Sequence, residues 1–430
     1  MPPRPYTISV PQPQIDRLQQ KLALADLPDE LDGAGWDLGT PLAEVSRLVK
    51  VWQSWDWREA EKRLNEACTQ YETEVEVEGF GSLNVHFVHE RSKAAVDGEK
   101  AIPLLFVHGW PGSFVEVLKI LPLLTQCNDS NNSDSPSFHI VAPSLPNYGF
   151  SQGVSKRGFG LAQYAETCHK LMLQLGYDQY VTQAGDWGYW ITRAIGKLYP
   201  ESCRASHYNM VFTNAPSIWR NPLLALWDKV MPYSESDRRA LDRKGKFERE
   251  GKGYNILQST KSQSLAYALH DSPTALLAWL YEKLHDWSDT YPWTDDEILT
   301  WVSIYAFSRA GPGAAHRIYY EVTHAEDASD EHDVTTTRRN SRGKLIRCTY
   351  EGMLEYTEGV KIGLTYNPKE LETVPVRWGG TLGEVVDVVE NEIGGHFYAH
   401  EHPELLVRDL RRMFGRGGGA FAVIPGKDGY

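Results

Sequence analysis

The string Tyr180-Val-Thr-Gln-Ala-Gly-Asp-Trp-Gly-Tyr189 constrains this chain more than any other stretch. Tyr180–Ala184 reads as a strand, and Tyr189–Leu198 reads as a helix. Between them the order is small residue, any residue, Asp186, any residue, small residue. That spacing describes a strand–turn–helix elbow, which lifts one side chain above the end of a sheet. Ala184 and Gly188 are the small residues that the tight turn demands. Asp186 then stands at a helix N-terminus, where the helix dipole and free N–H groups favour a negative charge. Taken alone, the string equally describes a helix-capping Asp after a strand.

The rest of the chain supplies the sheet that such an elbow needs. Pro103–Val107 and His139–Ala142 are continuous apolar runs, Gly160–Leu175 reads as a helix, and strand-like segments return at Lys361–Thr365 and Glu384–Val389. Buried strands separated by helices indicate a mostly parallel α/β sheet. Glu74–His89 alternates in the strand manner, with Gly79-Phe80-Gly81 as a hairpin turn. Residues 1–75 read as a polar helical N-terminal extension, with Ile15, Leu18 and Leu22, then Leu42, Val45, Leu48 and Val49, at helical spacing. Residues 76–212 form the first part of the core, 213–344 a helical cap rich in Trp, Leu and Tyr, and 345–430 the second part. Asn128–Ser137 and Ala325–Lys344 are too polar to bury and read as surface excursions.

Composition narrows the partners. The 430 residues carry 44 Lys+Arg against 57 Asp+Glu, a net charge of −13, which argues against nucleic acid or an anionic membrane surface. The 41% hydrophobic content is enough to build a sizeable core. Five cysteines without a C-x-x-C pair read as reduced thiols, not as a disulfide framework or a zinc site. The start lacks an apolar signal region, and no run reaches the roughly 18 apolar residues that span a bilayer. The expectation is a soluble, cytoplasmic protein without a membrane anchor. Its 14 Trp and 22 Tyr suggest an aromatic-lined interior or pocket.

Two further motifs follow strands. Phe106-Val-His-Gly-Trp-Pro-Gly-Ser113 stands where α/β-hydrolases place the loop that supplies one oxyanion N–H. Trp110 would give that N–H and Trp187 the other, while His108 holds the loop. Asn391-Glu-Ile-Gly-Gly-His-Phe-Tyr-Ala-His-Glu401 puts His396 behind two glycines, in a loop where a base can reach the sheet edge; His400 and His402 fall on the next helix and look exposed. Glu370 follows the strand Lys361–Thr365 and is the candidate orienting acid; Asp387, inside the final strand, is its rival. Nucleophile Asp186, acid Glu370 and base His396 occur in the chain order of this fold.

With these motifs in place, the sequence resembles epoxide hydrolases of the microsomal type over nearly its whole length. His108-Gly-Trp-Pro-Gly112, Ala184-Gly-Asp-Trp-Gly188 and Gly394-Gly-His-Phe397 are similar to that family's oxyanion, nucleophile and base motifs. Ile8-Ser-Val-Pro11, Leu22–Asp29 and Asp56-Trp-Arg58 with Glu61 and Asn65 resemble its N-terminal segment. The resemblance implies an α/β-hydrolase fold with a helical cap, and hydrolysis of epoxides to vicinal diols through a covalent Asp186 ester that water activated by His396 and Glu370 then cleaves. It also implies two cap tyrosines that hydrogen-bond the epoxide oxygen: Tyr254, and either Tyr319 or Tyr320, with Tyr319 preferred on its spacing to Arg317 and Glu321. No metal or organic cofactor is required. The expected partner is a small apolar epoxide, with a homodimer allowed. A haloalkane dehalogenase with the same Asp nucleophile, or a non-catalytic ligand-binding protein of this fold, are the rival readings.

Overall fold

The computed structural model describes residues 2–92, 99–125, 135–325 and 336–430. Its strands are β1 (Arg4–Pro5), β2 (Gln70–Val77), β3 (Gly81–Glu90), β4 (Ile102–Val107), β5 (Phe138–Pro143), β6 (Tyr180–Ala184), β7 (Cys203–Tyr208), β8 (Thr337–Arg339), β9 (Leu345–Arg347), β10 (Thr357–Tyr366) and β11 (Gly383–Glu390). Among the described residues, nine of them form one sheet in the order β1-β2-β3-β5-β4-β6-β7-β10-β11. The pairings from β5 to β11 are parallel and those from β1 through β3 to β5 are antiparallel. Every residue of β4, β5 and β6 is buried, because helices cover both faces of a parallel sheet; hence the continuous apolar runs.

This is an α/β-hydrolase fold with a helical cap inserted between β7 and β10. The insertion holds the helices Pro222–Val230, Glu235–Lys246, Gly253–Asp271, Pro273–Asp286, Asp295–Ala306 and Arg317–Thr323. In the N-terminal extension the helices Gln12–Ala23 and Leu42–Ser54 bury Ile15, Leu18, Leu22, Val45, Leu48 and Val49, the apolar stripe that their periodicity announces, and the helix Trp57–Ala67 buries Trp57, Ala60 and Leu64.

The polar segment Ala325–Lys344 departs from expectation where it is described. Thr337–Arg339 pairs with Leu345–Arg347 as a two-stranded sheet, and Arg338 is drawn inward by Glu166 at 2.5 Å. A guanidinium that meets a buried carboxylate has a reason to leave solvent, which polarity alone does not reveal. Residues 326–335, and most of Asn128–Ser137, lie outside the described residues, as does Cys127. The cysteines Cys68, Cys168, Cys203 and Cys348 are buried free thiols. Among the described residues no helix is long and apolar enough to cross a membrane.

Candidate active site

The elbow forms because β6 ends at Ala184 and the next helix begins at Asp186 itself, three residues before Tyr189. Asp186 has φ +46°, a left-handed conformation that is costly for a side-chain-bearing residue and is held only where neighbours enforce it. The enforcement is visible at two glycines. A Cβ on Gly188 would overlap the Val107 carbonyl, and a Cβ on Gly109 would overlap the Asp186 side chain. The end of β4 therefore presses directly against the elbow, and the Trp110 N–H donates to Asp186 Oδ1 at 2.7 Å. The Trp187 amide lies in the first helical turn, where N–H groups have no acceptor within the helix. His108 keeps the loop in place: Leu145 N–H donates to its Nε2 at 3.2 Å, so its Nδ1 donates to the Gly109 carbonyl at 2.9 Å.

His396 sits in the loop after β11, where Gly394 has φ +120°. Its backbone N–H donates to the carbonyl of cap residue Trp287 at 2.8 Å. Its Nδ1 meets Glu370 Oε1 at 2.6 Å and its Nε2 meets Asp186 Oδ2 at 3.4 Å. Burial alone would lower the imidazole pKa, but the charges of Glu370 and Asp186 outweigh it and raise the pKa well above the ordinary value. Glu370 is almost fully buried and its Oε1 also accepts from Leu371 N–H at 2.8 Å. The rival acid, Asp387, pairs instead with Arg412 at 2.9 Å on the last strand.

Tyr254 and Tyr319 reach the same place from the cap. Tyr254 stacks on Trp110 with centroids 5.3 Å apart, and Tyr319 meets Trp187 edge-on at 4.8 Å. Burial first, then neighbouring charge such as that of Asp186, hold both phenols well above their ordinary pKa, so each keeps its proton as a donor. Tyr320 points elsewhere, stacked on His324 at 4.1 Å. A cavity of about 390 Å³ opens over Asp186, with Tyr254 and Tyr319 on its wall and Trp190, Phe212 and Tyr350 beyond them. Among the described residues no cluster of His, Cys, Asp or Glu could hold a metal ion.

Comparison with known proteins decides what this arrangement belongs to. Residues 3–117 match the family described as epoxide hydrolase N terminus, and residues 102–247 match the alpha/beta hydrolase fold. The structure of Aspergillus niger epoxide hydrolase is 31% identical, with a TM-score of 0.76 and 95% of each chain covered. The chain belongs to the epoxide hydrolase family. The crystal structure of juvenile hormone epoxide hydrolase from Bombyx mori is 27% identical with a TM-score of 0.79, over 95% of this chain and 93% of that one. Epoxide hydrolase 1 of Sus scrofa is 28% identical over 435 residues, 96% of this chain and 88% of that protein.

Some residues of this epoxide hydrolase's site escape a reading of the sequence. His400 is not exposed: it is buried, stacked on Trp293 at 4.8 Å and bonded to Glu297 Oε1 at 3.1 Å, because the loop after Gly395 turns beneath the cap. His402 is half-buried beside it. Glu401 accepts from Phe397 N–H at 2.9 Å and from Asp289 N–H at 2.6 Å, while Asp289 accepts from Gly394 N–H at 2.8 Å. These bonds staple the His396 loop to the cap. Glu116 lies beside the site as well, and its signal is a lone charge inside the apolar run Phe114-Val-Glu-Val117.

Proposed function

We propose that this enzyme converts small apolar epoxides to vicinal diols in two covalent steps. The observation that carries the reading is the line Glu370–His396–Asp186, at 2.6 and 3.4 Å, beneath a pocket walled by two protonated tyrosines. In the first step an Asp186 oxygen attacks one epoxide carbon, and the C–O bond of the ring breaks. Tyr254 and Tyr319 hydrogen-bond the departing oxygen, which stays on the substrate and takes a proton from one of them.

Esterification removes the charge of Asp186. The proton of His396 replaces the one that the tyrosine gave up, which leaves a neutral imidazole oriented by Glu370. That imidazole takes a proton from water, whose oxygen bonds to the ester carbon of Asp186. The oxyanion forms on the carboxyl group that already accepts from Trp110 N–H, and Trp187 N–H is the second donor. Each such donor is commonly worth about 3 kcal/mol. Collapse expels the diol oxygen, which receives the proton from His396, and Asp186 then returns its own proton to the imidazole.

The aromatic wall of the cavity favours apolar substituents on the epoxide. The test is a single turnover with His396→Gln and styrene oxide. An Asp186 peptide heavier by the mass of the epoxide supports two steps; absence of the adduct, while wild type makes diol, overturns them. A parallel panel with Asp186→Ala should give no diol. Halide release from a chlorinated alkane in place of diol would favour dehalogenation.

A further inference from the structure

The cavity over Asp186 is not apolar throughout. Two charged side chains share its wall with the aromatic rings: Lys252, two residues before Tyr254, and Glu372, two residues after Glu370. The Lys252 ammonium donates to Glu372 Oε1 at 3.3 Å. Neither residue takes part in the two covalent steps. We infer that this pair is a substrate subsite, and that it selects epoxides whose apolar chain carries a neutral hydroxyl away from the ring. The inference rests on the reaction proposed above and narrows its substrate.

The pair has bonding capacity left over. Glu372 is buried, and its Oε2 has no hydrogen-bond partner among the described residues. An ammonium has three N–H groups to donate, and Lys252, half-buried, uses one of them on Glu372. One wall of the cavity thus combines an unfilled acceptor with unfilled donors. A buried carboxylate oxygen left without a donor costs free energy that apolar contacts do not return. An apolar chain lying against the pair excludes water from it and leaves these groups unpaired. A hydroxyl in the same place donates to Oε2 and accepts from Nζ.

Charge decides which polar group fits. Asp186, Glu351 and Glu372 line the cavity against one cation, Lys252, among the described residues. A carboxylate on the substrate therefore meets an excess of negative charge. An ammonium gains from Glu372 and is opposed by Lys252. A hydroxyl carries no charge and uses both partners at once. The pair also stands close to the reacting groups: burial first, then the charges of Asp186 and Glu372, hold the Tyr254 phenol well above its ordinary pKa. One bound molecule can thus meet Asp186, Tyr254 and the ion pair together, with Trp190, Met210, Phe212, Leu354 and Leu371 around its apolar part.

Matched terminal epoxyalkanes, with and without a hydroxyl on the last carbon, test this over a range of chain lengths through kcat/KM for ring opening. In wild type the ratio of hydroxylated to plain substrate should peak at one length. The peak should stand roughly 10- to 100-fold above the shortest pair, since a site built for a hydroxyl penalises its absence. The corresponding carboxylates should be poorer than the alcohols at that length. Lys252→Met with Glu372→Leu replaces the pair without leaving either charge alone. In that double variant the peak should vanish, with plain epoxides favoured at every length; Glu372→Gln, which keeps an acceptor, should lower the peak without erasing it. Both members of a matched pair meet the same enzyme, so partial misfolding leaves their ratio unchanged. A flat profile in wild type, a carboxylate preferred to its alcohol, or an undiminished peak in either variant overturns the assignment. If no epoxide of either kind is opened, the proposed reaction itself fails; a flat profile with ready turnover removes the subsite alone.

Discussion

His396 touches two carboxylates, and on the proposed two-step route only Glu370 would keep its charge once Asp186 is esterified. On that route the first chemical step would make the base for the second, because burial pulls the imidazole pKa down once one of the opposing charges is gone. Asp186→Asn imitates that loss without substrate. The imidazole of His396 should titrate at lower pH in the variant than in wild type, as followed by NMR; an unchanged midpoint would show that Asp186 does not hold the proton. Tyr254 gives a second expectation. If both tyrosines donate to the departing oxygen as proposed, Tyr254→Phe should slow ester formation by roughly 100-fold while ester hydrolysis is spared. Gly109→Ala tests the close packing of loop and elbow. Its Cβ lands on the Asp186 side chain, so the carboxylate must move, with about 1–3 kcal/mol of stability lost to overpacking and most activity with it. Urea denaturation and diol assays check both.

At the scale of elements, what was legible was local. The strand Tyr180–Ala184 could be read to its boundaries, since five residues are too few for a helix and the elbow's small residue and glycine mark its end. The helix start was read late because Asp186 and Trp187 carry no helical periodicity of their own. Asp186, His396 and Glu370 could be placed near one another since each follows its own strand, and the ends of neighbouring parallel strands converge. The cap's grip on the loops was not legible, for its partners are far apart in sequence. Trp301 Nε1 donates to the Pro111 carbonyl at 2.5 Å and Tyr305 Oη to the Gly112 carbonyl at 2.6 Å. His400 was misread for the same reason, since its burial is created by Trp293 and Trp301 of the cap. The paired donors imply that the double variant Trp301→Phe, Tyr305→Phe leaves two buried carbonyls unsatisfied. It should cost about 2–4 kcal/mol in urea denaturation and slow turnover by loosening the Trp110 N–H.

Across the whole molecule the N-terminal extension reaches the cap as well as the sheet. Lys21 pairs with Asp271 at 2.8 Å, Arg47 with Asp295 at 2.7 Å and Arg63 with Asp296 at 2.6 Å, while Trp55 Nε1 donates to Asp296 at 2.9 Å. Asp295 and Asp296 open the helix Asp295–Ala306, the same helix whose Trp301 and Tyr305 hold the Trp110 loop. One helix thus joins the extension's ion pairs to the Trp110 loop, a route by which charges that never touch substrate would influence the site. These ion pairs are partly exposed, so each is worth at most about 1 kcal/mol and is weakened by salt. Asp295→Asn with Asp296→Asn removes both pairs. Amide hydrogen exchange in residues 295–306 and in the Trp110 loop should then quicken together, by up to roughly tenfold for a loss near 1.4 kcal/mol, with Gly160–Leu175 unchanged. Raising salt should bring wild type toward the variant. Faster exchange in the helix with an unaltered Trp110 loop would break the chain of contacts at Trp301 and Tyr305, and leave the extension as a support for the cap alone.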